Sequence, residues 1–253
     1  MRFHVGQALP PANATQFDRV AARYDALWTT TPVGRAQRNL VWRDMDALFQ
    51  PGMRILDIGC GTGEDAAHFA ARGVTVYATD ASPAMVQVAQ TRGATAAVCG
   101  AEDIAQIGGT FDGAISNFGA LNCVADLRAV AHSLAALVRP GGRVAICLLG
   151  RFCAWETLYY CVRLQWSKAF RRWHRVPYHE ITVHYWTVSE FRAAFAPHFE
   201  LQRWTGIGLC VPPSYVKLPA SLVRVLAACD RLFARLPLLR ALADHRLFLL
   251  VRK

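Results

Sequence analysis

Short apolar runs alternate with helical periodicities along the first 150 residues of the chain. The runs MRILDI (53–58), VTVYAT (74–79), ATAAVC (94–99), FDGAIS (111–116) and RVAICLL (143–149) are short, apolar and mostly rich in β-branched residues, the pattern of strands buried on both faces. Between them, 63–72, 82–92 and 125–138 carry helical patterns, and the second opens on Ser82-Pro83, a capping hydroxyl followed by a proline suited to the first turn. Strand, helix and strand in succession imply βαβ units, hence a parallel sheet covered on both faces. Pro51-Gly52 and Pro140-Gly141-Gly142 supply turns just before the first and fifth strands.

Two helical segments, 15–28 and 34–49, precede the first strand. After the fifth come a basic, aromatic segment (151–186), a helix (187–196), a strand (199–208), a long helical stretch (218–243) and a closing strand (245–252). The expected fold is therefore α/β, with a doubly wound, mostly parallel sheet of seven strands in a single domain over 1–253.

The first chemical signal is ILDIGCGTGEDA (55–66), where glycines punctuate the junction of strand and helix. Such a junction is a nucleotide-type site, because glycine lets a ligand approach the backbone and the helix amides point at it. NAD and S-adenosylmethionine are the two candidates. Gly59, Gly61 and Gly63 are spaced GxGxG instead of the dinucleotide GxGxxG, and no GxxxxGK followed by Ser or Thr occurs for a nucleoside triphosphate. Glu64 and Asp65 fall in the first helical turn, where they would repel a pyrophosphate. A phosphate-free, cationic nucleoside suits the loop better.

Composition narrows the setting. Hydrophobic residues are 53% and charged residues 18%, yet no apolar run approaches the ~18 residues a membrane helix needs. The N-terminal stretch lacks the apolar core of a secretory signal, so a cytoplasmic protein is expected. The 8 cysteines lie scattered in apolar segments without a CxxC pair, and no HExxH or Cys/His cluster occurs, so neither a disulfide framework nor a structural metal is expected. Charge is divided unevenly: residues 1–150 hold 12 Lys+Arg against 12 Asp+Glu, whereas 151–253 hold 16 against 6, so the whole net charge of +10 lies in the second part.

With LDIGCGTG (56–63) at the first strand and turn, Asp80 closing the second strand in VYATDASPAM, and RPGGRVAI (139–146) at the fifth, the sequence resembles the class I S-adenosylmethionine-dependent methyltransferases. FDRVAARYDALW (17–28) further resembles the lead-in helix of the small-molecule branch that includes ubiquinone and menaquinone methyltransferases. The resemblance implies a Rossmann-like methyltransferase fold, an N-terminal helical lid (13–50), and a substrate cover inserted after strand five (151–187). It implies that Asp57 and the backbone of Gly59, Cys60 and Gly61 face the methionine part of the cofactor, that Asp80 takes the ribose hydroxyls, and that Ala101 and Glu102 line the adenine. Many relatives have an acid where this chain has Gly100. Tyr24 is the lid candidate and Asn117 a cofactor-side candidate by position.

The methyl acceptor is less defined. An acid or amide followed by Pro-Pro-aromatic after strand four would mark amino methylation of adenine or glutamine, and SNFGALN (116–122) stands there instead. The rings of the 151–187 segment, Trp155, Tyr159, Tyr160 and Tyr185 among them, are expected to wall an apolar acceptor pocket. His179 and His184 are the histidines of this segment considered as a base; His184, in ITVHYW, is the candidate, with Glu156 as the second choice. Two partners fit the basic part. Arg224, Arg231 and Arg235 at helical spacing suggest an anionic membrane surface, touched peripherally by an enzyme for a quinone, polyketide or lipid-like compound. Arg163, Lys168, Arg171, Arg172 and Arg175 interleaved with Trp166, Phe170 and Trp173 suggest RNA as the alternative.

Overall fold

The structure is a computed structural model that describes residues 12–174 and 182–253. Its sheet has seven strands, β1 (Arg54–Ile58), β2 (Thr75–Asp80), β3 (Thr95–Val98), β4 (Phe111–Ser116), β5 (Val138–Leu149), β6 (Phe199–Ile207) and β7 (His245–Arg252), in the order β3-β2-β1-β4-β5-β7-β6. β1 to β5 pair in parallel, and β7 inserts antiparallel between β5 and β6. This is the expected doubly wound α/β fold. The order reverses between β1 and β4, and in such sheets the crevice at the carboxyl ends of those two strands is where ligands bind.

Side-chain alternation divides the core. On one face Leu56, Ile58, Val144, Ile146, Leu148 and Phe248 pack with α5 (Leu127–Leu137) and α9 (Val188–Phe195). On the other, Ile55, Ile115, Ala145, Cys147, Leu247 and Leu249 pack with α2 (Pro32–Met45) and α3 (Glu64–Ala70). α4 (Pro83–Thr91) begins as the sequence predicts, with the Ser82 hydroxyl accepting from the Met85 amide. α1 (Ala12–Tyr24) runs into a single π-helical turn at Asp25–Thr29. After β5 come α6 (Ala154–Val162) and two short turns, α7 (Trp166–Ala169) and α8 (Arg171–His174).

Two expected elements are corrected. The continuous helix over 218–243 is instead α10 (Ala220–Phe233) and a 3-10 turn at Leu239–Leu242. Pro237 lacks an amide and restricts the residue before it, so the helix ends ahead of it and Arg235 falls beyond the helical face assigned to it. β5 starts at Val138, not after the Pro-Gly-Gly turn, because Val138 pairs with Phe111 and the ladder then shifts register before Gly113 meets Arg143.

Phe248 holds the inserted strand. It is fully buried and stacks on Phe191 at 3.9 Å between centroids, inside a cluster with Phe195 and Trp204. Phe248→Ala is expected to cost about 3–5 kcal/mol of stability, the range for emptying a fully buried phenyl site. Denaturant unfolding checks this, and a loss below ~1 kcal/mol would show that β7 does not depend on the cluster.

Candidate functional site

A cavity of about 170 Å³ opens at the switch point. Its floor is the loop after β1, where Gly59, Gly61 and Gly63 all adopt positive φ (70°, 53° and 78°). A Cβ on Gly59 would lie 2.2 Å from the Ala120 Cβ, and one on Gly63 would lie 2.8 Å from the Ala89 Cβ, so only glycine lets the loop sit between β4 and α4. The Gly59 and Cys60 amides donate to the Thr79 carbonyl at 2.7 and 2.8 Å, and the Gly61 amide to Asp80 Oδ2 at 2.8 Å. Asp80 Oδ1 also accepts from the Ser82 amide at 2.9 Å. Burial pushes the Asp80 carboxyl above its ordinary range, against the lowering effect of these amides.

Behind the loop stands a second charged group. Asp65 accepts from Arg38 at 2.5 Å, Trp42 Nε1 at 2.6 Å and Asn117 Nδ2 at 3.2 Å. The Arg38 guanidinium lies 4.9 Å from the centroids of both Trp28 and Phe118, and its Nε has no partner. Asp57 is 1% exposed and neither of its carboxylate oxygens has a partner. Burial, and then the nearby charge of Asp65, hold the Asp57 carboxyl well above the usual carboxylate range, although Arg38 opposes them. Glu64 pairs with Arg92, and at 4.0 Å with Arg35. The two acids of the helix start are thus compensated by arginines, and the repulsion expected from them is weaker than their sequence position suggests. Besides Asp65, the acids that line the cavity are Asp80, Glu102 and Asp103.

The N-terminal helices reach this loop. Asp18 accepts from Ser82 Oγ at 2.5 Å and from the Ala84 amide at 3.1 Å, and Asp25 accepts from Thr62 Oγ1 at 2.7 Å and pairs with Arg92. These contacts bring Phe17 and Tyr24 to the cavity wall. Burial raises the pKa of the Tyr24 phenol.

The cavity assembles most of the cofactor-side residues read from the sequence: Tyr24, Gly59, Cys60, Gly61, Asp80, Ala101, Glu102 and Asn117 all line it. Asp57 does not line it and lies buried. Glu102 Oε1 also accepts from the Ala125 amide at 2.8 Å, which fixes the loop before α5. At Gly100, Asp103 Oδ2 stands 3.3 Å from where a Cβ would be, so a carboxylate from three residues on occupies the space of the missing side chain.

The acceptor-side candidates are placed elsewhere. His184 is not a strand residue: it lies in the extended stretch before α9, donates from its amide to the Asn122 carbonyl at 2.6 Å and accepts from Asn122 Nδ2 at 2.7 Å. Its ring stacks on Trp186 at 5.4 Å and does not line the cavity. Glu156, the second candidate base, must be withdrawn. It is 2% exposed, both its oxygens are bound by Arg171 and Arg172, and although burial alone would raise its pKa these arginines outweigh that and hold it below the ordinary value. Tyr159 and Tyr160 meet Tyr215 at 5.3 and 5.7 Å, Trp155 donates to the Cys210 carbonyl at 3.0 Å, and the Arg172 guanidinium lies 5.5 Å from the centroid of the buried Tyr185 ring. These rings surround the Glu156 ion pairs and not the cavity. Arg171 and Arg172 are therefore committed internally, which removes two cations from the proposed RNA face; His179 and Arg175 lie outside the described residues.

Sequence reasoning missed Arg38, Asp65 and Asp103. For Arg38 a signal existed, because α2 buries Gly34, Gln37, Arg38, Val41 and Met45 at helical spacing, placing a cation on an apolar stripe.

Comparison with known proteins agrees with this geometry. A family model described as Methyltransferase domain matches residues 35–198. The chain is 31% identical over 141 residues to demethylmenaquinone methyltransferase of Mycolicibacterium gilvum (strain PYR-GCK), covering 54% of this chain and 60% of that protein. It is 33% identical over 143 residues to the demethylmenaquinone methyltransferase of Clavibacter sepedonicus, covering 54% and 58%. The chain thus spans about 60% of the length of the M. gilvum relative. Among solved structures, magnesium protoporphyrin IX methyltransferase from Synechocystis PCC 6803, determined with bound SAH, aligns with a TM-score of 0.60 at 18% identity over 95% of this chain and 96% of that one. The cyclase SpnF aligns equally well, with a TM-score of 0.60 at 14% identity over 95% of each chain, so likeness at this level speaks for the fold alone. The family match covers well over half of the sequence, and on it the chain belongs to the methyltransferase domain family.

Proposed function

We propose that the chain binds S-adenosylmethionine in the switch-point cavity and transfers its methyl group to an apolar or aromatic small molecule of the quinone, polyketide or lipid-like class. The observation that carries this reading is a matched pair of unpartnered buried groups, the Asp57 carboxyl, which a bound cation would ionise, and the Nε of the cavity-lining Arg38. An amino acid head group has the complementary ammonium and carboxylate. At the other end, Asp80 retains acceptor capacity for a pair of ribose hydroxyls, and Asp103 stands at the position for an adenine amino group. The bound cofactor supplies an electrophilic methyl on a sulfonium. The chain supplies position and dryness: Phe17 and Tyr24 cover the cavity as part of an N-terminal lid (13–50), held by Asp18 and Asp25. No base is required for an activated carbon acceptor. His184, bonded to Asn122 beside the cavity-lining Cys123, is the candidate base for a hydroxyl or amine acceptor. The demethylmenaquinone methyltransferases among the relatives support an apolar acceptor.

Peripheral contact with an anionic membrane suits such an acceptor. Among the described residues no helix is long and apolar enough to cross a bilayer. Yet Leu158, Val162, Leu164 and Trp166 on α6, α7 and the turn between them, and Leu222, Val225 and Leu232 on α10, are 43–74% exposed, with Arg163, Lys168, Arg224 and Arg231 exposed among them. Arg235 pairs with Asp44 and so leaves the set.

Asp80→Ala is expected to weaken S-adenosylmethionine binding by about 1.5–3 kcal/mol in calorimetric titration without unfolding the chain. Asp57 gives a pH signature. Its folded pKa is raised, so the folded protein keeps a proton that the unfolded chain has released; this contributes stability at low pH that is lost as pH rises through the folded value. A bound cation favours the ionised form, so binding below that value releases a proton, detectable by titrating in buffers of different ionisation enthalpy. Asp57→Asn should bind more weakly and release none. Unchanged affinity in both folded variants would refute the placement of the cofactor.

Liposome flotation tests the surface. Binding to anionic but not neutral vesicles, lost at high salt and reduced in Arg224→Gln/Arg231→Gln by up to about 1 kcal/mol per arginine, is the expected result. Salt-sensitive RNA binding with indifference to lipid would favour the nucleic-acid reading instead.

A further inference from the structure

A second cavity, of about 410 Å³, lies beyond the end of β5 and shares no described lining residue with the first. Arg151 and Phe152 follow β5, Trp173 comes from α8, Thr187 and Val188 open α9, and Arg246 comes from the start of β7. The Phe152 and Trp173 rings lie 6.2 Å apart. Arg246 is 7% exposed. Its Nη2 donates to the Ala241 carbonyl at 3.1 Å, while its Nε is buried without a partner.

The neighbouring ion pairs show why this arginine is unusual. Arg172, equally buried, is bound by both Glu156 and Asp244. Among the described residues no carboxylate pairs with Arg246. Burial, and then the charge of Arg172, pull its pKa down to about 10, which leaves it a cation at neutral pH. A buried guanidinium without a counter-charge costs several kcal/mol, and a fold that keeps one has a reason to. The backbone makes room for it: a Cβ on Gly150 would come within 2.9 Å of Arg246 Nη1.

We propose that this cavity is a binding site for a flat, apolar small molecule bearing one anionic group, with the carboxylate or phosphate at Arg246 and the apolar body against the Trp173 and Phe152 rings. An anion there completes a charge the protein leaves open, and the rings supply the apolar contact that a free inorganic ion could not use. Arg151, exposed at the cavity mouth, adds a second cation on the approach. The site stands apart from the methyl-donor cavity, so its failure would leave the cofactor assignment untouched.

The probes are 2-naphthoate, 2-naphthyl phosphate, uncharged 2-naphthol and inorganic phosphate, titrated calorimetrically into the full chain, with Trp fluorescence as a second readout through Trp173. Naphthoate or naphthyl phosphate should bind, whichever is tighter identifying the anion; naphthol and inorganic phosphate should bind at least about tenfold more weakly, each lacking one half of the recognition. Arg246→Gln should lose about tenfold or more in affinity for the anionic probe, Arg246→Lys should recover part of it, and Trp173→Leu should weaken it while abolishing the fluorescence response. Circular dichroism establishes that each variant is folded, and Trp173→Leu, outside the strand core, keeps the test open if Arg246→Gln does not fold. Equal binding of naphthol and naphthoate, or naphthoate affinity unchanged in folded Arg246→Gln, or no binding of either anionic probe, would overturn the proposal.

Discussion

The contact on which the site depends is the buried ion pair between Arg38 and Asp65. It joins α2 to the first turn of α3, takes in Trp42 from α2 and Asn117 from the end of β4, and stands beside the unpartnered Asp57 at the end of β1. A pair this deep is weak evidence for stability, because desolvating both charges offsets most of their attraction. Its effect is on position. With Asp65 bound three ways, the helix start that carries the glycine loop is fixed against both the sheet and the N-terminal helices, and Arg38 keeps one nitrogen free. Removing either partner would leave an uncompensated charge under the loop that must approach the cofactor.

Around that anchor the sheet order does the rest. The reversal between β1 and β4 leaves a crevice, the glycines let the backbone line it, and Asp18, Asp25 and Thr62 tie the N-terminal segment across it. The same order places β7 next to β5, which brings Arg246 to the end of β5, where it lines the second cavity. One topology thus builds two neighbouring concavities with opposite electrostatics, the first rich in carboxylates and the second in arginines.

Much of this was legible in the chain itself. The strands β1, β4 and β7 follow from short apolar runs, since burial on both faces leaves little choice of residue, and Asp80 and the loop glycines follow from the needs of a backbone that meets a ligand. What could not be read was pairing across distance. Nothing local tells that Asp65 is spent on Arg38, that Glu156 is locked by Arg171 and Arg172, or that Asp103 fills the space above Gly100. The helical reading of 218–243 failed because apolar periodicity continues past Pro237 while the backbone cannot. The rings after β5 are plain in the sequence, but their packing around the Glu156 ion pairs instead of the cavity is not, because aromatic composition does not tell which wall a ring faces.

The central claim is that the switch-point cavity takes a cationic, phosphate-free nucleoside. Parallel calorimetric titrations of the full chain with S-adenosylmethionine and with NAD test it most directly. The account predicts saturable binding of S-adenosylmethionine and none of NAD, whose pyrophosphate would have to settle among Asp80, Glu102 and Asp103. Saturable binding of NAD, with no heat from S-adenosylmethionine, would contradict it.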